Sequence, residues 1–210
     1  MYTVVSWYTP LYEAANKRLR RSLDALGIPH VEYSMRGRGN WYENISLKPL
    51  ILRQAFADVK GDIVYTDSDS VFLRRPVLFD EWYQPYTFIP DNIAHDTERA
   101  RQYAPLGHDL GVHYRAGLEL LGGTQYWRKC DLIDELIDAM EQGMQLAHQS
   151  SQVTLNRILP QWVAERGLRV RRLPAEYCCI FDNAEQRAEC GGNPVVEHYQ
   201  HSRQLRNQEG

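Results

Sequence analysis

Hydrophobic and polar positions alternate over residues 3–8 (TVVSWY), a β-rich run that reads as a first strand. Residues 11–26 then carry apolar side chains at 11, 15, 19, 23 and 26, a helical stripe that Gly27 terminates. A second strand spans 30–35 and a second helix 47–59, with Lys48-Pro49 in the first turn, where proline is tolerated. Ile63-Val64-Tyr65 has the composition of a short buried strand. The apolar Val71-Phe72-Leu73 follows it, and Arg74-Arg75-Pro76 breaks the run. Further strands are expected over 86–89, over 118–126 (LELLGGTQY), over 168–173 and over 194–198 (PVVEH). The Gly122-Gly123 pair inside 118–126 marks a bulge or a close approach to the backbone. A helix is expected over 127–147, with Leu132, Leu136, Met140 and Met144 on its core face. Another opens at Ser150-Ser151-Gln152, where serine is a natural N-cap, and points Leu155, Ile158 and Leu159 inward. Strands alternating with helices predict an α/β fold with a mostly parallel sheet.

The length of 210 residues suits a single domain, and 43% hydrophobic with 24% charged residues is ordinary for a globular chain. No apolar run approaches the roughly 20 residues that span a bilayer, and MYTVVSWYTP reads as a first strand and not a signal peptide, so a cytoplasmic protein is expected. A net charge of −3 argues against a generic nucleic-acid binder. The arginine groups at 18, 20 and 21, at 36 and 38, and at 169, 171 and 172 read as solvated faces. Cys130, Cys178, Cys179 and Cys190 lack zinc-ligand spacing and read as free thiols.

The candidate chemistry starts where the strand at 63–65 stops, at Asp67-Ser68-Asp69. Ligands of open α/β sheets sit outside the carboxyl ends of strands, and hard divalent cations take carboxylate oxygens. Asp and Ser are also turn formers, so a plain strand-closing turn competes with a metal site. The opening β-α-β unit is a mononucleotide-binding half-unit, with Ser6, Tyr8 and Thr9 at the end of its first strand. Tyr8 reads equally as a half-buried strand-end aromatic. Residues 90–111 are polar and without period, the mark of a functional or mobile segment.

GDIVYTDSDSVFLRRP resembles the D-x-D segment of nucleotide-sugar-dependent glycosyltransferases with the GT-A fold, a Rossmann-like sheet flanked by helices. The resemblance covers nearly the whole chain. It implies one glycosyltransferase domain over 1–210, with a nucleotide-binding half at 1–76 and an acceptor-side half at 77–210. It also implies Mn²⁺ or Mg²⁺ held by Asp67 and Asp69, with His198 of the PVVEH tail completing the site and His201 as competitor. Ser6, Tyr8 and Thr9 would meet the nucleotide. Lys48 would reach the nucleotide-sugar, unless it is a solvated first-turn lysine. Ser202 and Arg203 would hold the diphosphate, and Gly122 and Gly123 would leave room for the sugar. The helix at 151 starts with Ser151-Gln152 where the family commonly has an acidic residue, which leaves Gln152 to orient the donor sugar. An inverting reaction requires a base near the acceptor. Asp91, Asp109 and His113 are the candidates, and a retaining reaction needs none. The expected acceptor is a carbohydrate hydroxyl. Two alternatives are a modified base in phage-type DNA, such as 5-hydroxymethylcytosine, and a non-catalytic nucleotide-sugar-binding module.

Overall fold

The computed structural model describes residues 2–37, 41–80, 109–115, 119–147 and 149–200. The expected strand at 86–89, Asp91, most of the segment 90–111, and His201, Ser202 and Arg203 lie outside these residues. Strands β1 (Tyr2–Tyr8), β2 (His30–Ser34), β3 (Asp62–Thr66), β5 (Leu110–Arg115), β6 (Glu119–Trp127) and β7 (Val170–Arg172) form one sheet in the order β2-β1-β3-β6-β5-β7. The β1–β2, β1–β3 and β5–β7 pairs are parallel, and β6 runs antiparallel to both of its neighbours. This is the mostly parallel α/β sheet that the alternation of elements predicts.

Burial explains the arrangement. Val4 and Val5 of β1, and Ile63 and Val64 of β3, are fully buried on opposite faces, as expected of strands covered by helices on both sides. On one face Val5, Ile63, Tyr65, Val112 and Trp127 pack against α3 (Lys48–Asp58), α5 (Asp131–Ala147) and α6 (Ser151–Arg166). On the other face Tyr2, Val4, Val64 and Tyr126 pack against Leu19 and Leu23 of α1 (Glu13–Ala25). Short helices α2 (Trp41–Ile45), α4 (Val77–Asp80) and α7 (Ala184–Glu189) lie in the connections. No helix among the described residues is long and apolar enough to cross a membrane.

A second, three-stranded sheet has the order β4-β9-β8, from β4 (Ser70–Phe72), β9 (Val196–His198) and β8 (Cys179–Ile180). It brings the last described strand back against the chain that leaves β3. Two local expectations are corrected. Trp127 belongs to β6, paired with Ile63 and Leu110, and the following helix starts at Asp131. Leu11 is 60% exposed, because a 3-10 turn over Pro10–Tyr12 precedes α1 and puts it out of phase with the buried Ala15, Leu19 and Leu23.

Candidate functional site

Asp67, Ser68 and Asp69 form the turn between the two sheets. The Ser70 N–H donates to the Asp67 carbonyl at 3.1 Å, and the Asp67 N–H donates to the Gly123 carbonyl of β6 at 3.0 Å. The Tyr199 N–H holds the Asp69 carbonyl at 3.1 Å, so the backbone after β9 fixes the far side of the turn. The same contact carries His198 to the two carboxylates. One ligand atom from each of Asp67, Asp69 and His198 lies within 4.8 Å of the others. With metal–oxygen bonds of about 2.1 Å, ligands opposite one another on Mg²⁺ stand about 4.2 Å apart. The separation is thus close to that of ligands around one divalent cation, and the donor set is two carboxylates and an imidazole.

His198 is buried and gripped from both sides. Its Nδ1 lies 2.9 Å from Ser70 Oγ, and its Nε2 lies 2.8 Å from Thr124 Oγ1. Thr66 Oγ1 in turn donates to Ser70 Oγ at 2.9 Å. Ligation would take one imidazole lone pair from a hydroxyl, while the other nitrogen keeps the ring oriented.

Gly122 and Gly123 sit at an irregularity of β6. Val112 of β5 pairs with Gln125, but the next residue, His113, pairs with Leu121, so 122–124 have no partner on β5. The bulge read from the sequence is there, and what approaches its backbone is protein. A Cβ on Gly123 would stand 2.7 Å from Cε1 of His198, and one on Gly122 would stand 3.3 Å from Gln152 Oε1 and 3.4 Å from Lys48 Nζ. The Gly122 N–H donates to Gln152 Oε1 at 3.0 Å, and Lys48 Nζ donates to the Gly122 carbonyl at 2.8 Å.

Lys48 is therefore not a solvated first-turn lysine. It is buried, with Nζ 4.0 Å from the centre of the Tyr65 ring. Burial lowers its pKa from the ordinary lysine value, and the Asp67 charge opposes that shift. Burial raises the Asp67 carboxyl above the usual carboxylate value, with Lys48 and the Tyr65 hydroxyl pulling the other way. Tyr65 donates to Asp67 Oδ1 at 3.0 Å and accepts from Trp7 Nε1 at 3.0 Å.

Two adjoining cavities of about 160 Å³ each meet at this relay. The first is walled by Trp7, Tyr8, Thr9, Tyr12, Asn44, Asp67 and Asp69, the second by Lys48, Gly122, Ser150, Ser151 and Gln152, and Trp7, Ile45, Tyr65 and Asp67 line both. Tyr8, Thr9, Lys48, Gly122, Gln152 and the two aspartates are thus gathered at the carboxyl end of β3. Trp7, Tyr12, Asn44, Tyr65, Ser70 and Thr124 are additions that the sequence reading missed. Two-residue periodicity was a usable signal for Tyr65, since it shares a strand face with Asp67.

Ser6 and Asp109 are not brought to the cavities. Ser6 is buried within β1, with no partner for Oγ among the described residues. Asp109 precedes β5 at the opposite end of the sheet from the Asp67 turn, because Leu110 pairs with Trp127 while Thr66 pairs with Thr124. Its buried carboxylate accepts Arg169 Nε at 3.0 Å, Nη2 at 2.7 Å and the backbone N–H at 3.1 Å, with Arg128 at 3.7 Å. A carboxylate so committed, and so remote, does not serve as a base at the cavities.

No protein-family model matches the chain, and no curated protein matches it in sequence. Solved structures do match. A glycosyltransferase involved in glycosylating the major capsid of PBCV-1 aligns with TM-score 0.63 at 13% identity, over 99% of this chain and 98% of that one. The apo form of the glycosyltransferase GlyE of Streptococcus pneumoniae TIGR4 aligns with TM-score 0.59 at 15% identity, over 94% of this chain and 54% of that one. The bifunctional glycosyltransferase WbbM aligns with TM-score 0.56 at 10% identity, over 95% and 45%. The chain spans about half the length of GlyE and of WbbM. At these identities the likeness is one of architecture, and the chain has the fold of glycosyltransferases.

Proposed function

We propose that the chain is a single-domain, metal-dependent glycosyltransferase that moves a sugar from a nucleotide-diphosphate donor to an acceptor hydroxyl. One observation carries the reading. Two carboxylates on the wall of an aromatic-lined cavity, at the carboxyl end of a central strand, have ligand atoms within 4.8 Å of that of a buried imidazole. Neither a structural turn nor an ordinary core histidine needs that convergence. The nucleotide-binding half is residues 1–76 and the acceptor-side half 77–210.

Asp67, Asp69 and His198 would hold Mn²⁺ or Mg²⁺, which when bound supplies a Lewis acid for the diphosphate leaving group. Tyr8, Thr9 and Tyr12 form the wall on which a nucleoside packs, beside Trp7. Lys48 donates one N–H to the Gly122 carbonyl and would present its charge to a diphosphate from the wall of the second cavity. Gln152, its Oε1 held by the Gly122 N–H on the wall of the second cavity, would help orient the donor sugar. Ser202 and Arg203 follow β9 in sequence and are proposed as diphosphate ligands, and Asp91 as a residue of the acceptor side. The net charge of −3 favours a carbohydrate acceptor over duplex DNA.

The test is a thermal-shift screen of nucleotide-sugars with and without Mn²⁺. A donor that binds only the folded state raises Tm by mass action. A rise for one donor class that requires the metal supports the reading, and no rise for any donor with Mn²⁺ present overturns it.

A further inference from the structure

Tyr65 is buried at 2% exposure, yet it lines both cavities, and three groups hold it in place. Its hydroxyl accepts from Trp7 Nε1 at 3.0 Å and donates to Asp67 Oδ1 at 3.0 Å. Lys48 Nζ, tethered to the Gly122 carbonyl at 2.8 Å, stands over the ring, 4.0 Å from its centre. The direction of this relay is fixed by chemistry. An indole N–H can only donate, and an ionised carboxylate can only accept. The phenol must therefore accept from Trp7, and its single proton is left for Asp67.

Packing alone does not call for the hydroxyl. The ring belongs to the apolar cluster of Val5, Ile63 and Trp127, where a phenylalanine ring would fill the same space. The neighbouring residue follows the same plan on the other face of the sheet. Thr66 Oγ1 donates to Ser70 Oγ at 2.9 Å, and Ser70 Oγ lies 2.9 Å from His198 Nδ1. The last two residues of β3 thus each lend a hydroxyl to a chain that ends on a member of the carboxylate–imidazole cluster.

We propose that Tyr65, oriented by Trp7 and Lys48, is a positioning residue that fixes the Asp67 carboxylate before a divalent cation arrives. The cation rests on the function proposed above, whereas the hold on Asp67 does not. A carboxylate held at one oxygen cannot spin about its Cβ–Cγ bond, so an incoming cation does not have to order it. Hydrogen-bond partners of metal ligands typically account for about ten- to a hundredfold in metal affinity.

Manganese titrations followed by electron paramagnetic resonance, with melting curves on the same preparations, test the first part. They compare wild type, Tyr65→Phe, Trp7→Phe and the double variant. Tyr65→Phe keeps the ring and should melt close to the wild type while binding Mn²⁺ about ten- to a hundredfold more weakly. Trp7→Phe should lose less, because the phenol can still donate to Asp67. The double variant should bind no more weakly than Tyr65→Phe alone, since Trp7 acts through the hydroxyl. Unchanged manganese affinity in Tyr65→Phe, or a double variant in which the two losses add, overturns the proposal. A wild type that binds no Mn²⁺ refutes the metal centre itself. A crystal structure of metal-free Tyr65→Phe then decides the hold on Asp67. A carboxylate turned from its wild-type orientation, or spread over several, supports the assignment, and one that keeps its place overturns it.

Discussion

Asp109 and Asp69 are chemically identical side chains with opposite tasks, and their surroundings separate them. Asp109 is 3% exposed and bound to Arg169 through three N–H groups, so Asp109→Asn leaves a guanidinium group underpaired. Because Arg169 and Arg128 still reach solvent, the expected loss of stability is on the order of 2 kcal/mol, with turnover per folded molecule unchanged. Chemical denaturation and an activity assay on the same preparation check both halves. Gly123→Ala should act the other way. Its new Cβ at 2.7 Å from His198 Cε1 must displace the imidazole, costing about 1–3 kcal/mol and most of the metal affinity. Manganese binding that survives in Gly123→Ala would remove His198 from the site. The sequence marked Gly123 as unusual, but not the reason, since its neighbour His198 lies 75 positions further along the chain. The sequence alone leaves Lys48 open between a donor contact and a solvated lysine for the same reason. Its partner is a carbonyl at Gly122, and no local pattern announces that contact.

The elements divide along the same line. The β1-α1-β2 unit, α3, β3, α5 and α6 were legible because strand alternation and helical stripes are local signals. Strands β4, β5 and β8 were missed. Strands β4 and β8 are too short to show a period, and Leu110 and Val112 of β5 follow directly on a polar stretch that conceals their alternation. The three-residue irregularity of β6 has no sequence signature beyond Gly122-Gly123, because it exists only relative to the register of β5. Helix α6 illustrates an element whose start matters to the site. Ser150 Oγ accepts the Val153 N–H at 3.3 Å, and this cap sits beside Ser151 and Gln152 on the second cavity. Ser150→Ala should cost about 1 kcal/mol and loosen Gln152. The expected readout is a lower Tm together with a larger KM for the sugar donor than for inhibition by the free nucleotide. Equal changes in both constants would show that the cap acts only on stability.

At the scale of the whole molecule, the described residues form two sheets joined by the turn that carries the carboxylates, and buried thiols lie in and beside the smaller sheet. Burial pushes Cys178 up to about 12, and Cys190 likewise to about 12 with Cys179 beside it. In the unfolded chain these thiols ionise near the ordinary value for cysteine. Their contribution to stability is therefore complete below about pH 8.5 and is lost as the pH rises toward 12. Melting temperature should fall across that window, and both thiols should resist alkylation at pH 8 until the chain is unfolded. Rapid native-state labelling of Cys178 would contradict the packing between the sheets.

The turn itself allows a more direct test, a titration of Mn²⁺ followed by electron paramagnetic resonance on the wild type and on Asp69→Ala. Asp69 is a turn residue and not part of either apolar core, so the variant should melt close to the wild type. The expected result is one manganese site per wild-type chain, a loss of at least tenfold in affinity in Asp69→Ala, and transfer activity that disappears with it and in EDTA. Transfer that persists in EDTA, or manganese bound equally well by both proteins, would contradict a metal centre at Asp67, Asp69 and His198.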